Sequence, residues 1–137
     1  MKDVVDLLAR IFIAFIFLFE AYDSIVAFKA TKATMTNYGI TWNQDLLLSG
    51  VIFTLVLGST LVLIGYRSSF GAFLLLLYWL PVTFIVHSWW NDSGAIQREQ
   101  AILFMKNFAI VGGLLMIVAY GSGRYSIRRL FATTRVP

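Results

Sequence analysis

The sequence predicts an all-α integral membrane protein, a four-transmembrane-helix bundle with both termini in the cytoplasm. Hydrophobic residues make up 59% of the 137 residues and charged residues only 13%, against roughly 45–50% and 25% in soluble domains. Four apolar segments are each close to the roughly 20 residues that cross a bilayer. The length is that of a single membrane domain, residues 1–137.

The four predicted spans cover about residues 8–28, 45–65, 69–87 and 101–120. A tight connection around Ser68 and Ser69 joins the second span to the third, so these two should form an antiparallel helical hairpin. The interval from 29 to 44 is the longest polar stretch, and its threonines and Gly39 predict a loop with an interfacial turn.

Basic residues near the span ends predict the orientation. One side of the membrane would carry seven of them: Lys2, Arg10, Arg67, Arg124, Arg128, Arg129 and Arg135. The other side would carry three: Lys29, Lys32 and Arg98. The excess places both termini in the cytoplasm and predicts a multi-pass protein of a bacterial or archaeal cytoplasmic membrane. Arg10 should snorkel to the headgroups, and Trp42, Trp89 and Trp90 should anchor the outer interface.

Ionisable side chains inside the predicted spans give the candidate site. Lys106 lies about one turn inside the fourth span, where an uncompensated lysine costs about 3 kcal/mol on insertion scales. The acids that can pair with it, Glu20 and Asp23, lie in the first span. His87 ends the third span, and Asn107 follows Lys106. The topology predicts that all five lie in the outer half of the bundle.

Two interpretations of this cluster stay open. A salt bridge between Lys106 and an acid of the first span can simply specify how the helices pack. Alternatively, the cluster forms an outward-opening polar pocket, in which Lys106 and His87 donate hydrogen bonds to a carbonyl or an anion.

Small residues predict where helices approach closely. Gly50, Thr54 and Gly58 are spaced by four residues and share one face of the second span. Gly112 and Gly113 form a second small surface in the fourth span. Both surfaces predict helix packing, either within the bundle or with a partner.

The residue types present also exclude several chemistries. The chain has no cysteine, which removes thiolate catalysis and cysteine-bound metal or iron–sulfur centres. It has one histidine, His87, which argues against a multi-histidine metal site or haem within one chain. The formal net charge is +4, and the basic residues mostly flank the hydrophobic spans. This placement indicates contact with anionic lipid rather than nucleic acid. No metal and no intrinsic cofactor are therefore expected.

Several segments resemble DoxX-type membrane proteins. His87-Ser88-Trp89-Trp90, the run from Phe104 to Leu115, the end of span two at Leu63-Ile64-Gly65-Tyr66-Arg67, and Arg10 carry the resemblance. It covers nearly the whole chain and is most specific from Lys106 to Leu115. The resemblance implies a small four-helix membrane protein and, because some relatives are associated with quinone-linked sulfur oxidation or oxidative-stress complexes, a role beside quinones.

One departure from the family pattern concerns the acids. Many relatives carry an acidic residue early in the core of the second helix, where this chain has Phe53-Thr54-Leu55. In this chain the acids Glu20 and Asp23 lie in the first span instead.

We expect the chain to act as an accessory or structural subunit of a membrane complex, quinone-linked, with a membrane-protein partner or a second copy of itself. Two alternatives stay open, an autonomous quinone-binding oxidoreductase and, less favoured, a small-solute or proton carrier.

Overall fold

The structure, a computed structural model, describes residues 1–123 and 125–127. Four arginines used above to predict the orientation, Arg124, Arg128, Arg129 and Arg135, lie outside the described residues. The described chain forms α1 (Lys2–Val26), α2 (Phe28–Asn37), α3 (Gln44–Ile64), α4 (Ser68–Val86), a 3-10 turn (Trp89–Asn91) and α5 (Gly94–Tyr120). It contains no strand within these limits, so the all-α class is confirmed.

Three stretches of the described chain are long and apolar enough to cross a membrane: Gln44–Ile64, Ser68–Asn91 and Gly94–Tyr120. They correspond to α3, to α4 with the turn that follows it, and to α5. The first helix is also long, with 25 residues, but six charged residues lie along it: Lys2, Asp3, Asp6, Arg10, Glu20 and Asp23.

The predicted loop between residues 29 and 44 is wrong over most of its length, because α2 occupies Phe28–Asn37. Threonine hydroxyls in this helix donate to carbonyl oxygens four residues earlier, from Thr31 to Ala27 and from Thr34 to Ala30. This local bonding lets threonine stay within a helix. The turn begins only at Tyr38, and the φ of +80° at the next residue, Gly39, suits glycine.

The long helices pack along three seams, α1 against α3, α3 against α4, and α4 against α5. Between α1 and α5 there is far less contact. Fully buried Phe17, Leu55, Leu75 and Leu114 fill the middle of the bundle. The end that holds the N-terminus and the α3–α4 connection is termed the basal end, and the opposite end, which carries α2, is termed the α2 end.

The predicted small-residue face of α3 makes close contact at one of its three positions. A Cβ added at Gly58 would lie 2.9 Å from the carbonyl oxygen of Gly71, so α3 and α4 touch backbone to backbone there. Gly50 faces open space, and Thr54 donates to the Gly50 carbonyl of its own helix. The predicted packing is wrong for Gly50 within one chain. Gly50 and Gly58 are eight residues apart, and an α-helix turns over eight residues by about 80° beyond two whole turns, so the two glycines point in different directions.

The two glycines of α5, Gly112 and Gly113, also differ in their surroundings. A Cβ at Gly113 would lie 2.8 Å from Cδ1 of Ile13, so this glycine lets α1 approach α5. A Cβ at Gly112 would meet nothing within 4 Å, because consecutive helix positions point about 100° apart. Packing within the chain therefore involves Gly113 and not Gly112.

Candidate functional site

A cavity of about 410 Å³ opens at the α2 end. Much of its polar lining comes from α1, from α4 with the residue that follows it, and from α5: Glu20, Asp23, Tyr78, His87 and Asn107. The cavity exists because α2 turns back over the ends of α1 and α3 instead of continuing α1. Four of the five predicted cluster residues therefore surround one space.

Most of the cavity wall is apolar. Side chains from α2 to α4 supply it: Met35, Ile40, Leu48, Val51, Val82 and Val86. Thr31 and Thr34 add hydroxyl groups from α2. A largely apolar space with a few converging polar groups, in this size range, is typical of a small-molecule site.

Hydrogen bonds orient the polar groups of the wall. The Tyr78 hydroxyl donates to Oε1 of Glu20 over 3.5 Å, a long contact. Nδ2 of Asn107 donates to Oγ1 of Thr83 over 3.2 Å, which fixes the amide between α5 and α4. These bonds place a hydroxyl, a carboxylate and an amide on neighbouring walls of the same space.

Two further polar side chains belong to the same wall. Nδ1 of His87 shares a 2.7 Å hydrogen bond with Oε1 of Gln100, which ties the end of α4 to α5. Trp79 is 6% exposed, and its indole N–H has no hydrogen-bond acceptor among the described residues. A buried donor without an acceptor is costly, and sequence reasoning missed it because burial, not residue type, makes it notable.

α2 covers the cavity through polar contacts. The Gln44 amide donates to the carbonyl oxygens of Lys32 and Ile40 and to Oγ1 of Thr36. Nζ of Lys32 forms a 2.7 Å salt bridge with Oδ1 of Asp45. No residue of α2 is buried, so the cover rests on these bonds more than on apolar packing.

Lys106 departs from the predicted cluster. Within the described part of the chain the ion pairs are Arg10–Asp6 and Lys32–Asp45, and Lys106 is exposed without one. The inward face of α5 carries Asn107, and adjacent helix positions point about 100° apart. The predicted pairing of Lys106 with the acids of the first span is therefore wrong.

At the basal end, Arg10 forms a buried site that the sequence did not predict. Its side chain is 0% exposed, so the expected snorkelling to the headgroups is wrong. Nε donates to Oδ2 of Asp6 over 2.9 Å. Nη1 donates to the carbonyl oxygens of Val62 and Leu63 at the end of α3, which leaves this cation surrounded by acceptors.

The same cluster holds the chain after α5. Nη2 of Arg10 donates to the carbonyl oxygen of Tyr125, and Oδ2 of Asp6 accepts the Gly123 N–H over 2.9 Å. Ser122 donates to the carbonyl oxygen of Gly65. The one sequence signal for this cluster was Asp6 four residues before Arg10, a spacing that places both on one helix face.

The three predicted interface tryptophans all belong to the α2 end. Trp42 is 71% exposed between α2 and α3. Trp89 and Trp90 form the 3-10 turn, and the ring of Trp90 lies 5.8 Å from that of Phe104. Their position suits interface anchors, and that role stays a prediction.

No group of three or more His, Cys, Asp or Glu side chains arranged to hold a metal ion occurs among residues 1–123 and 125–127. The hydrogen-bonding groups that the cavity offers are instead hydroxyl, amide, imidazole and carboxylate groups. Such groups hydrogen-bond a polar organic ligand.

A family model described as DoxX matches residues 5–88. The matched region ends before Asn107 and before the segment from Lys106 to Leu115 on which the resemblance was most specific. It contains Glu20, Asp23, Tyr78 and His87 of the cavity wall.

Two bacterial proteins are similar to nearly the whole chain. The inner membrane protein YqjF of Escherichia coli (strain K12) is 28% identical over 130 residues, 95% of this chain and 94% of that protein. The inner membrane protein YphA of the same organism is 27% identical over 128 residues, 93% and 91% of the two chains.

A third similarity is partial. The surfeit locus protein 4 homolog of Schizosaccharomyces pombe (strain 972 / ATCC 24843) is 32% identical over 95 residues, 65% of this chain and 29% of that protein. No solved structure matches the chain.

Proposed function

Because the chain belongs to the DoxX family, we propose that this small multi-pass protein of the cell membrane binds a quinone at its α2 end, as an accessory subunit of a membrane redox complex. The observation that carries the proposal is the cavity of about 410 Å³, apolar in most of its wall, with hydrogen-bonding groups on neighbouring sides.

The chemistry of the wall suits a quinone ring. A quinone presents a flat apolar ring with two carbonyl oxygens, and these need donors. The Asn107 amide keeps a second N–H beyond the one it gives to Thr83, and the Tyr78 hydroxyl can turn from Glu20 to a ligand carbonyl. The N–H at Nδ1 of His87, in contrast, is already given to Gln100. The reduced form presents hydroxyl groups instead, and the Glu20 carboxylate can accept from one of them. One cavity thus has partners for both redox states.

An accessory role is favoured over autonomous oxidoreductase activity. The chain has no cysteine, so a thiol or iron–sulfur donor of electrons to the quinone must lie on another protein. In this proposal the chain holds the quinone and a partner supplies the electrons. The alternative, in which the chain acts alone, predicts turnover of quinone by the purified protein.

We also propose that α1 is the fourth span and that both termini lie in the cytoplasm. α1 packs along α3 for much of its length, which places it beside the segments that cross the bilayer. Its cation Arg10 is buried and paired with Asp6, while Glu20 and Asp23 lie near the α2 end. The orientation rests on the excess of basic residues that the sequence carries near the span ends on the side of the termini, seven against three.

A carrier function has less support. The fully buried side chains of Phe17, Leu55 and Leu75 lie between the cavity and the basal end. A solute or proton path through one chain would have to open this layer.

Purification in a mild detergent, followed by mass spectrometry and quinone absorbance, tests the proposal. We expect a stoichiometric membrane-protein partner together with bound quinone. Quinone bound to the chain alone, with turnover, would favour the oxidoreductase alternative. Protein that carries no quinone, does not bind added short-chain quinone, and conducts ions in vesicles would contradict the proposal.

A further inference from the structure

We propose that the indole N–H of Trp79 donates a hydrogen bond to a carbonyl oxygen of the ligand, so that the cavity selects a ring that carries a carbonyl. The inference rests on the proposed quinone site. It adds the residue that distinguishes a quinone from an apolar ring of the same shape, and it concerns the inner end of the cavity.

Trp79 forms the floor of the cavity. It is one of the residues that line this space, and it also belongs to the buried core of the bundle. Its ring meets the ring of Phe17 on α1 edge to face, with 4.9 Å between the two centroids. The indole of Trp79 therefore separates the cavity from the core, and this inner boundary is termed the floor.

The polar atom of the floor has no partner within the chain. Trp79 is 6% exposed, and its nitrogen is buried without an acceptor in the part of the chain that the structure describes. An indole nitrogen can only donate, and a buried tryptophan usually finds an acceptor for it. An unpaired buried donor costs folding free energy, a cost that phenylalanine at this position would avoid.

A second N–H is available beside the floor. The Thr83 hydroxyl donates to the carbonyl oxygen of Trp79, one turn earlier on α4, over 2.6 Å. The single hydrogen of this hydroxyl is thereby used, so its oxygen can only accept from Asn107, and the amide nitrogen of Asn107 must face it. Asn107 is 8% exposed and lines the cavity, so its other N–H is a second donor at the inner end.

Donors at the inner end favour a ligand atom that only accepts. A carbonyl oxygen has two lone pairs and can accept from both Trp79 and Asn107, once the indole adjusts on binding as side chains at a binding site commonly do. An apolar ring in the same place would leave both N–H groups unpaired. Such a site discriminates strongly against a ligand that lacks the polar group, because its own buried groups then have no partner.

The same contacts assign the direction of the ring. Phe17, which packs on Trp79, and Glu20, which accepts from Tyr78, both lie on α1, and Glu20 is nearer the α2 end. A quinone therefore binds with one carbonyl oxygen on the floor, and its other carbonyl oxygen lies toward Tyr78.

The test pairs two variants, Trp79→Phe and Trp89→Phe. Each removes an indole N–H that is buried without an acceptor among the described residues, but of the two tryptophans only Trp79 lines the cavity. Phenylalanine at position 79 keeps an aromatic ring that can pack on Phe17. The full-length protein in detergent is titrated with a naphthoquinone and with naphthalene, which has the same ring skeleton without the carbonyl oxygens.

We expect Trp79→Phe to weaken naphthoquinone binding about tenfold, because one hydrogen bond to a carbonyl is lost, and to leave naphthalene binding unchanged. Trp89→Phe should change neither affinity. Equal losses for the two ligands, or in the two variants, would overturn the inference, as would an unchanged naphthoquinone affinity in Trp79→Phe; in each case the quinone site itself would stand. Wild type that binds neither naphthoquinone nor a short-chain benzoquinone would instead reject the proposed function.

NMR of the wild type is a second measurement, which does not require Trp79→Phe to fold. The chain has four tryptophans, and Trp42→Phe, Trp89→Phe and Trp90→Phe assign the indole N–H resonances of the other three, which leaves that of Trp79. This resonance should move further downfield with naphthoquinone than with naphthalene, because only the quinone offers its N–H an acceptor. Equal shifts with the two ligands at saturation would overturn the inference.

Discussion

The polar groups at the two ends of the bundle differ in burial and in hydrogen bonding. At the basal end the fully buried Arg10 has the carboxylate of Asp6 and backbone carbonyls as acceptors. At the α2 end Glu20 and Asp23 line an open cavity, and the hydrogen bond to Glu20 is 3.5 Å long. The basal cluster therefore holds the fold together, whereas the groups at the α2 end remain available to a ligand.

Arg10→Met tests the basal end and should have the largest effect on the stability of the fold. It leaves the partly exposed Asp6 and the carbonyl oxygens of α3 without their donor. Removing one partner of a fully buried pair costs about 3–5 kcal/mol of folding free energy, so we expect a loss up to that size. Thermal unfolding in detergent measures the loss. Arg98→Met, at an exposed position, is the control and should change the unfolding free energy little. Equal unfolding temperatures for the two variants would show that the basal cluster does not stabilise the fold.

Gly65→Ala and Gly39→Ala compare crowding at the two ends. Both glycines have positive φ, +74° and +80°, so alanine is strained at each by about 1–2 kcal/mol. At Gly65 the new Cβ would also overlap Cβ of Ser126 and lie 2.8 Å from Nη1 of Arg10, whereas Gly39 faces open space.

We expect Gly65→Ala to cost about 1–3 kcal/mol more than Gly39→Ala, because overpacking adds to the backbone strain. Denaturant or thermal unfolding of the two variants measures the difference. Equal losses would mean that the basal end can relax around a methyl group and is less tightly closed than proposed.

Tyr78→Phe tests the α2 end and should have the smallest effect on the stability of the fold. It removes a hydroxyl that makes one long hydrogen bond, so the stability loss should be about 1 kcal/mol or less. Quinone affinity should fall about tenfold, since one donor to the ring is lost.

Tyr22→Phe is the control for Tyr78→Phe, because Tyr22 is 64% exposed on α1 and does not line the cavity. It should change neither quantity. A Tyr78→Phe protein that keeps its affinity but loses stability would reverse the roles assigned to the two ends.

Apolar runs made α3, α4 and α5 predictable, because their length alone identifies helices that cross a bilayer. α2 was missed because threonines, read as loop residues, bond to carbonyls of their own helix. Arg10 was missed because two of its acceptors are main-chain carbonyls more than 50 residues away, and every residue type carries such an acceptor.

The candidate site was partly predictable for a similar reason. Glu20, His87 and Asn107 stand out as polar residues in apolar segments, and the antiparallel topology places them at one level. The pairing of Lys106 with the acids of the first span was wrong, because Lys106 is exposed while the inward face of α5 carries Asn107. Which of two adjacent polar residues faces inward depends on the packing of the neighbouring helices, and a sequence pattern within one helix does not contain it.

Photolabelling with a quinone that carries a photoreactive group on its ring, followed by peptide mass spectrometry, tests the central claim most directly. The account predicts labels in the cavity wall, within residues 31–40 and 78–87, and competition by unlabelled quinone. Labels that concentrate on residues 66–70 at the basal end, or on the outer face of α5 near Arg98 and Met105, would contradict it.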